Sequence, residues 1–401
     1  MIGLAYCDAK GRIFYDPERE PLADGGIVRE PQIDELIPAP AGTMPMVLPG
    51  RRPLLSAAEH DGAYALAVAL PAGYTRLLLP AYSKEEQAPP LPLFGYTFAC
   101  VVNDELYVAA LQTDEAEEWQ PRSFAAGELE SRIERRLSVD RSNRVLAQLK
   151  ICALDYGCFT AQNVFLQRGE AALPVSPSCN ARCIGCISEL ADDRAVPAPQ
   201  TRIRFETTAA ELARIATSHF EVVRQGVISF GQGCEGEPLL RSVTIARAIE
   251  AIRVQTADGT INLNTNGSQP SALRRCIDAG LQAVRISLNS FRADTYAAYY
   301  RPQRYTLDDV LESIRLSVAA GIRVSLNYLT HPGVTDDRDE VEAARDFLSG
   351  VPVHMVQTRT LNIDPEWYFG AVGRPAEPLG MRHALAALAN AAPLGNFTHT
   401  H

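Results

Sequence analysis

Residues 176–186 read Ser-Pro-Ser-Cys-Asn-Ala-Arg-Cys-Ile-Gly-Cys, which sets Cys179, Cys183 and Cys186 at the spacing Cys-x3-Cys-x2-Cys. Thiolate is a soft ligand that suits iron–sulfur clusters, and three thiolates this close can each take one iron of a 4Fe–4S cube. A structural cluster normally uses four cysteines, so a set of three predicts one iron left open for chemistry. A zinc site would want a fourth Cys or His close by, and the neighbouring sequence supplies none. A disulfide framework is equally out of place, because nine cysteines in 401 residues are sparse and odd in number.

Downstream of Cys186 the chain alternates strand with helix. Val227-Ile-Ser-Phe precedes a predicted helix near 241–254, and Ile261-Asn-Leu-Asn one near 271–278. Val284-Arg-Ile-Ser-Leu leads to a longer helix near 306–320, and Val324-Ser-Leu-Asn-Tyr-Leu to one near 340–348. Val353-His-Met-Val-Gln closes the series. Gly280, Gly321 and Gly350 stand where helices should stop, and Thr208-x-x-Glu211 reads as a capping box. With a first strand at Leu173-Pro-Val-Ser, the pattern predicts six strands in βαβ units, hence a parallel sheet. The cysteine loop then follows the first strand directly. Reacting groups of parallel barrels collect at such C-terminal strand ends.

Those ends carry further polar groups. The second strand runs into Glu235-Gly236-Glu237-Pro238, the third ends in Asn264-Thr-Asn-Gly, the fourth in Ser287-Leu-Asn289-Ser, and the fifth begins its exit at Asn327. Taken in this order, the cysteine triplet, the Gly-Glu-Pro turn and the strand endings resemble the radical S-adenosylmethionine (radical SAM) superfamily over roughly residues 171–368. The resemblance implies an α/β fold, a partial (β/α)6 radical SAM barrel preceded by a small β-rich N-terminal module and connecting helices. It implies a 4Fe–4S cluster on Cys179, Cys183 and Cys186, whose open iron is chelated by the amino and carboxylate groups of S-adenosyl-L-methionine. Gly236 and Glu237 are expected to hold the SAM ammonium. Glu235 is the alternative, because the stretch Gly231-Gln-Gly-Cys-Glu is longer than the family's usual turn. Asn264, Ser287, Asn289 and Asn327 are the remaining expected SAM contacts, through hydroxyl and amide hydrogen bonds. No residue is singled out as catalytic.

The implied reaction is reductive cleavage of SAM to methionine and a 5′-deoxyadenosyl radical, which abstracts hydrogen from a peptide, protein or small metabolite. An electron donor of flavodoxin or ferredoxin type would be its partner. An RNA-modifying radical SAM enzyme, or a non-catalytic SAM-binding iron–sulfur protein, is the alternative.

The rest of the chain bounds these expectations. Its 401 residues exceed one ordinary core, and 46% hydrophobic with 21% charged residues is a soluble, globular balance. No run approaches the ~18 apolar residues of a membrane span, and no secretory signal opens the sequence. A reducing, cytoplasmic setting is expected. The net charge of −10 opposes unselective binding to nucleic acid or anionic membranes. One basic stretch, Arg132, Arg135, Arg136, Arg141, Arg144 and Lys150, reads as a solvated helical face. The expected layout is a β-rich module at 1–125, a helical connector at 126–170, the barrel at 171–368, and a C-terminal helix and tail at 369–401. Within the module, 94–111 reads as two strands joined at Asn103-Asp104. Cys152, Cys158 and Cys234 read as small buried apolar residues, with Cys234 near the barrel mouth. His399 and His401 read as a frayed tail.

Overall fold

The computed structural model describes residues 1–8, 10–56, 63–114, 127–190, 196–375 and 377–395; the expected His399 and His401 tail lies outside them. Seven strands pair in chain order into one all-parallel sheet: Glu170–Leu173, Val227–Phe230, Thr260–Thr265, Ala283–Leu288, Arg323–Thr330, Met355–Thr360 and Leu394–Gly395. Helices Ala209–Phe220, Ser242–Gln255, Pro270–Asp278, Leu307–Ala319 and Arg338–Gly350 cover its outer face. This is the partial α/β barrel expected from the alternation.

Two details differ from expectation. The first strand is not Leu173-Pro-Val-Ser but Glu170–Leu173, in register Glu170↔Val227 to Leu173↔Phe230. Pro174 has no N–H to give to the ladder, so pairing stops before it. The free N–H groups of Val175 and Ser176 go to a side chain instead, Glu235. The C-terminal segment is also more than helix and tail. Leu394 and Gly395 pair with Val356 and Gln357 as a seventh strand, too short to show any period in sequence.

Local chemistry explains the element ends. Thr208 Oγ1 accepts from the Glu211 N–H at 3.2 Å while the Glu211 carboxylate accepts from the Thr208 N–H at 2.9 Å, a reciprocal capping box. Gly280 and Gly321 take φ of +109° and +71° just past helix ends, the left-handed turn that ends a helix.

The N-terminal module is built on an eight-stranded antiparallel sheet. Its hairpin Thr97–Val102 to Glu105–Gln112 turns at Asn103 and Asp104, with φ of 51° and 63°, as a two-residue type I′ connection needs. Three helices then lead to the barrel: Leu129–Val139, Arg144–Leu154 and Phe159–Leu166. The basic stretch is split between the first two, because Asn143 caps the second by accepting from Val145 and Leu146 N–H. Arg132 pairs with Glu128, and Arg144 with Glu211.

Module and barrel share a polar seam. Arg51 is fully buried and reaches Asp364 and Glu366, which follow the sixth barrel strand. Thr75 meets Thr358 at 2.7 Å, Arg76 donates to Leu361 O, and the Leu91 N–H donates to Asp364. No helix among the described residues is long and apolar enough to cross a membrane.

Candidate cluster and cofactor site

Three elements hold the cysteine loop. The turn after the second strand pairs with its start: Gly236 N–H donates to Ser176 O at 2.7 Å and Glu237 N–H to Ser178 O at 2.9 Å. The backbones are so close that a Cβ on Gly236 would lie 2.0 Å from Ser178 O. The helix Ala293–Tyr300 holds the other side. Arg182 and Ile184 N–H donate to Tyr300 O and Tyr299 O, both at 3.0 Å, so Cys183 sits between two anchored neighbours. From the third strand end, Asn266 Nδ2 donates to Asn180 Oδ1 at 3.0 Å.

The loop faces a cavity of about 540 Å³ whose walls include Cys179, Cys183 and Cys186 together with Glu235, Gly236, Glu237, Asn264, Ser287 and Asn327. Six of the seven expected SAM contacts therefore converge with the three cysteines. Asn289 does not. It is wholly buried outside that lining, its Nδ2 donating to Tyr368 Oη at 3.0 Å and to Thr295 O at 3.4 Å. The strand ends at Leu288, one residue before it.

The two glutamates have separate structural tasks. The Glu235 carboxylate accepts from Val175, Ser176 and Gln232 N–H, each at 2.7 Å, and so fixes the entry to the cysteine loop. Glu237 accepts from Leu239 N–H at 2.9 Å, Asn266 N–H at 2.8 Å and the Thr265 hydroxyl, joining the second strand end to the third. Burial pushes Glu235 up to about 8 and Glu237 to about 7, against those N–H donors. Gly236 is needed for the approach of two backbones, whatever ligand contact it also makes.

All nine cysteines are free thiols. Burial raises Cys179 to about 11 and Cys183 well above its ordinary value, so thiolates here require compensating positive charge. No three His, Cys, Asp or Glu side chains among the described residues converge on a point that could hold one metal ion. A cube takes one thiolate from each cysteine on a different iron, and three free cysteines on the wall of one cavity supply such a donor set. Of the other thiols, Cys158 lines the cavity, 3.3 Å from Thr160 Oγ1, whereas Cys234 is buried behind the wall. The expected place of Cys234 at the mouth is taken by Cys158, because Cys234 turns inward beside Cys152.

The barrel interior carries a polar network. Arg285 donates to both oxygens of Glu170 at 2.6 and 2.9 Å, and Glu170 also accepts from Ser229 Oγ. Asn262 Nδ2 bonds Ser229 Oγ at 2.9 Å and Asn264 Oδ1 at 3.1 Å. Between the neighbouring fifth and sixth strands, Arg359 Nε donates to Asn327 Oδ1 at 3.3 Å. Of these, Glu170, Arg285 and Arg359 line the cavity, and Glu170 and Arg285 were not anticipated there. The signal was present as period-two alternation: polar residues stand at 262 and 264, 285 and 287, 325 and 327, 357 and 359, and Asn264, Arg285, Ser287, Asn327 and Arg359 of these line the cavity. Tyr299 and Tyr300 also line the cavity, Tyr299 Oη lying 3.0 Å from where a Cβ on Gly185 would stand.

Residues 173–348 match the family model described as "Radical SAM superfamily". The chain carries a radical SAM domain. Members of that family use a 4Fe–4S cluster and S-adenosylmethionine. Among curated proteins, the FeMo cofactor biosynthesis protein NifB of Klebsiella pneumoniae is 25% identical over 219 residues, covering 51% of this chain and 46% of NifB. The GTP 3′,8-cyclase of Heliobacterium modesticaldum is 32% identical over 187 residues, 45% of this chain and 51% of the cyclase. The chain thus spans about half the length of these curated relatives. A solved radical SAM methyltransferase from Sphaerobacter thermophilus aligns at 18% identity with a TM-score of 0.39, over 56% of this chain and 65% of that one.

Proposed function

We propose that this chain is a radical SAM enzyme whose substrate meets SAM in the 540 Å³ cavity at the C-terminal strand ends. The observation that carries the reading is the convergence of Cys179, Cys183 and Cys186 with the turn 235–237 and the strand-end amides in one cavity. When bound there, the cluster and SAM supply the one-electron cleavage that yields a 5′-deoxyadenosyl radical.

The chain's own residues bind, orient and shield. The loop cysteines ligate the cluster. Gly236 and Glu237 would hold the ammonium of SAM, and Asn264, Ser287 and Asn327 would offer hydrogen bonds to its hydroxyl and carboxylate groups, since all five line the cavity. Glu235 acts through the loop it fixes. Asn289 is set aside as a contact, since it lies outside the cavity wall. The Glu170–Arg285 pair closes the floor with balanced charge. A cavity of this size is a small-molecule pocket, and it must also take SAM. The substrate is therefore a small metabolite or a single side chain of a peptide or protein. The same reading divides the chain into the module 1–125, the connector 126–170, the barrel 171–368 and the segment 369–401. It also places the chain in a reducing cytoplasm, served by a flavodoxin- or ferredoxin-type donor.

Anaerobically reconstituted protein given SAM and dithionite should form 5′-deoxyadenosine and methionine. Alanine at any one of the three cysteines should reduce bound iron and abolish that cleavage. Full cluster loading without cleavage under any reductant would overturn the reading.

A further inference from the structure

Outside the SAM-facing cavity, one guanidinium touches a cluster cysteine. Arg202 Nη2 lies 3.6 Å from Cys186 Sγ and its Nε 3.3 Å from Ser188 Oγ, while Nη1 pairs with Glu189. Ser188 Oγ is itself 3.6 Å from Cys186 Sγ and donates to Glu235 O at 3.3 Å. The Arg202 side chain is only 13% exposed. Its segment is pinned on both sides, Gln200 N–H donating to Ile187 O and Ile203 N–H to Cys234 O, both at 2.9 Å. Arg202 is absent from the lining of the inner cavity. It stands instead in the wall of a second cavity of about 600 Å³ on the outer side of the same three cysteines.

We infer that Arg202, assisted by Ser188, is a positioning residue for Cys186 that raises the reduction potential of the cluster. This rests on the cluster ligation proposed above. Reduction adds negative charge to a cluster, and hydrogen bonds from a cationic donor to a ligating sulfur stabilise the reduced form. The planar fork lets one guanidinium reach a sulfur, a hydroxyl and a carboxylate together, which a lysine ammonium cannot reproduce. Glu189 does not cancel the effect, because it is 65% exposed and its charge is screened by water.

The test is the midpoint potential of the reconstituted cluster, read by EPR-monitored titration in wild type, Arg202→Gln and Arg202→Lys, with iron content and SAM dissociation constant measured alongside. The expected potential is most negative for R202Q and intermediate for R202K, with SAM affinity unchanged within twofold. R202K keeps the charge and therefore carries the test if R202Q takes up no iron. A potential equal to wild type in either iron-loaded variant overturns the inference. So does a large loss of SAM affinity at unchanged potential, which would make Arg202 a cofactor contact. If wild-type protein binds no cluster, the proposed function itself fails; if wild type cleaves SAM and the potential does not move, only this inference fails.

Discussion

At the scale of single residues, the cysteines were legible because ligation chemistry is local, three thiols within eight positions. The tasks of the glutamates were not legible, since what a buried carboxylate does depends on which N–H groups the fold aims at it. Gly236 shows the same limit. With its Cβ position 2.0 Å from Ser178 O, Gly236→Ala must push the cysteine loop from its turn. Overpacking of that kind costs about 1–3 kcal/mol. A lowered denaturation midpoint together with reduced iron uptake is expected, and unchanged values of both would refute the contact. Glu170 and Arg285 are paired at 10% and 7% side-chain exposure. Arg285→Ala removes the two-pronged partner of a buried carboxylate and should destabilise by about 3–5 kcal/mol in urea unfolding. Glu170→Gln with Arg285→Met should recover much of that loss, because removing both charges avoids the desolvation penalty.

Individual elements were read correctly where periodicity ran long, and missed where an element was short or defined by partners. The helix Ala209–Phe220 announced itself through its capping box; the two-residue seventh strand could not. The capping glutamate also ties the connector to the barrel. Arg144 and the Thr208 donors hold the Glu211 carboxyl down at about 2, from its ordinary 4.5. A depressed folded-state value means the unfolded chain binds the proton more readily as pH falls. The stabilisation is therefore complete above pH 4.5 and is lost as pH falls towards 2. At neutral pH Glu211→Gln should cost about 1–2 kcal/mol. The gap between wild type and variant in urea midpoint should narrow over that acidic range. A gap independent of pH would show that the carboxylate charge contributes nothing.

On the whole-molecule scale, the N-terminal module and the barrel meet through buried polar contacts instead of a mobile hinge surface. Arg51 is fully buried against Asp364, itself 5% exposed, and also donates to Pro89 O at 2.9 Å. Arg51→Ala removes the buried cation from that carboxylate, leaving it only backbone donors, and should cost about 3–5 kcal/mol. If the module and barrel unfold as one unit, fluorescence and circular dichroism should report a single transition that moves to lower urea. A variant whose barrel transition stays at the wild-type midpoint would show that the seam contributes nothing to barrel stability. None of this seam was foreseen, because its partners are 273 to 315 positions apart in the chain and no local pattern couples them.

By itself the sequence determined the cysteine spacing and the βα order, since spacing, alternation and caps act within a few residues. Tertiary structure alone decided which strand-end groups share a cavity. It brought Asn264, Ser287 and Asn327 to the cysteines, carried Asn289 away, and assigned both glutamates to backbone donors. It also set Arg202 against Cys186 across sixteen intervening steps of chain. The physical reason is common to all of these. A side chain's chemistry is intrinsic, but its partners are chosen by how the barrel closes and how the loop of 176–186 is pressed between the second strand's turn and the fourth strand's helix.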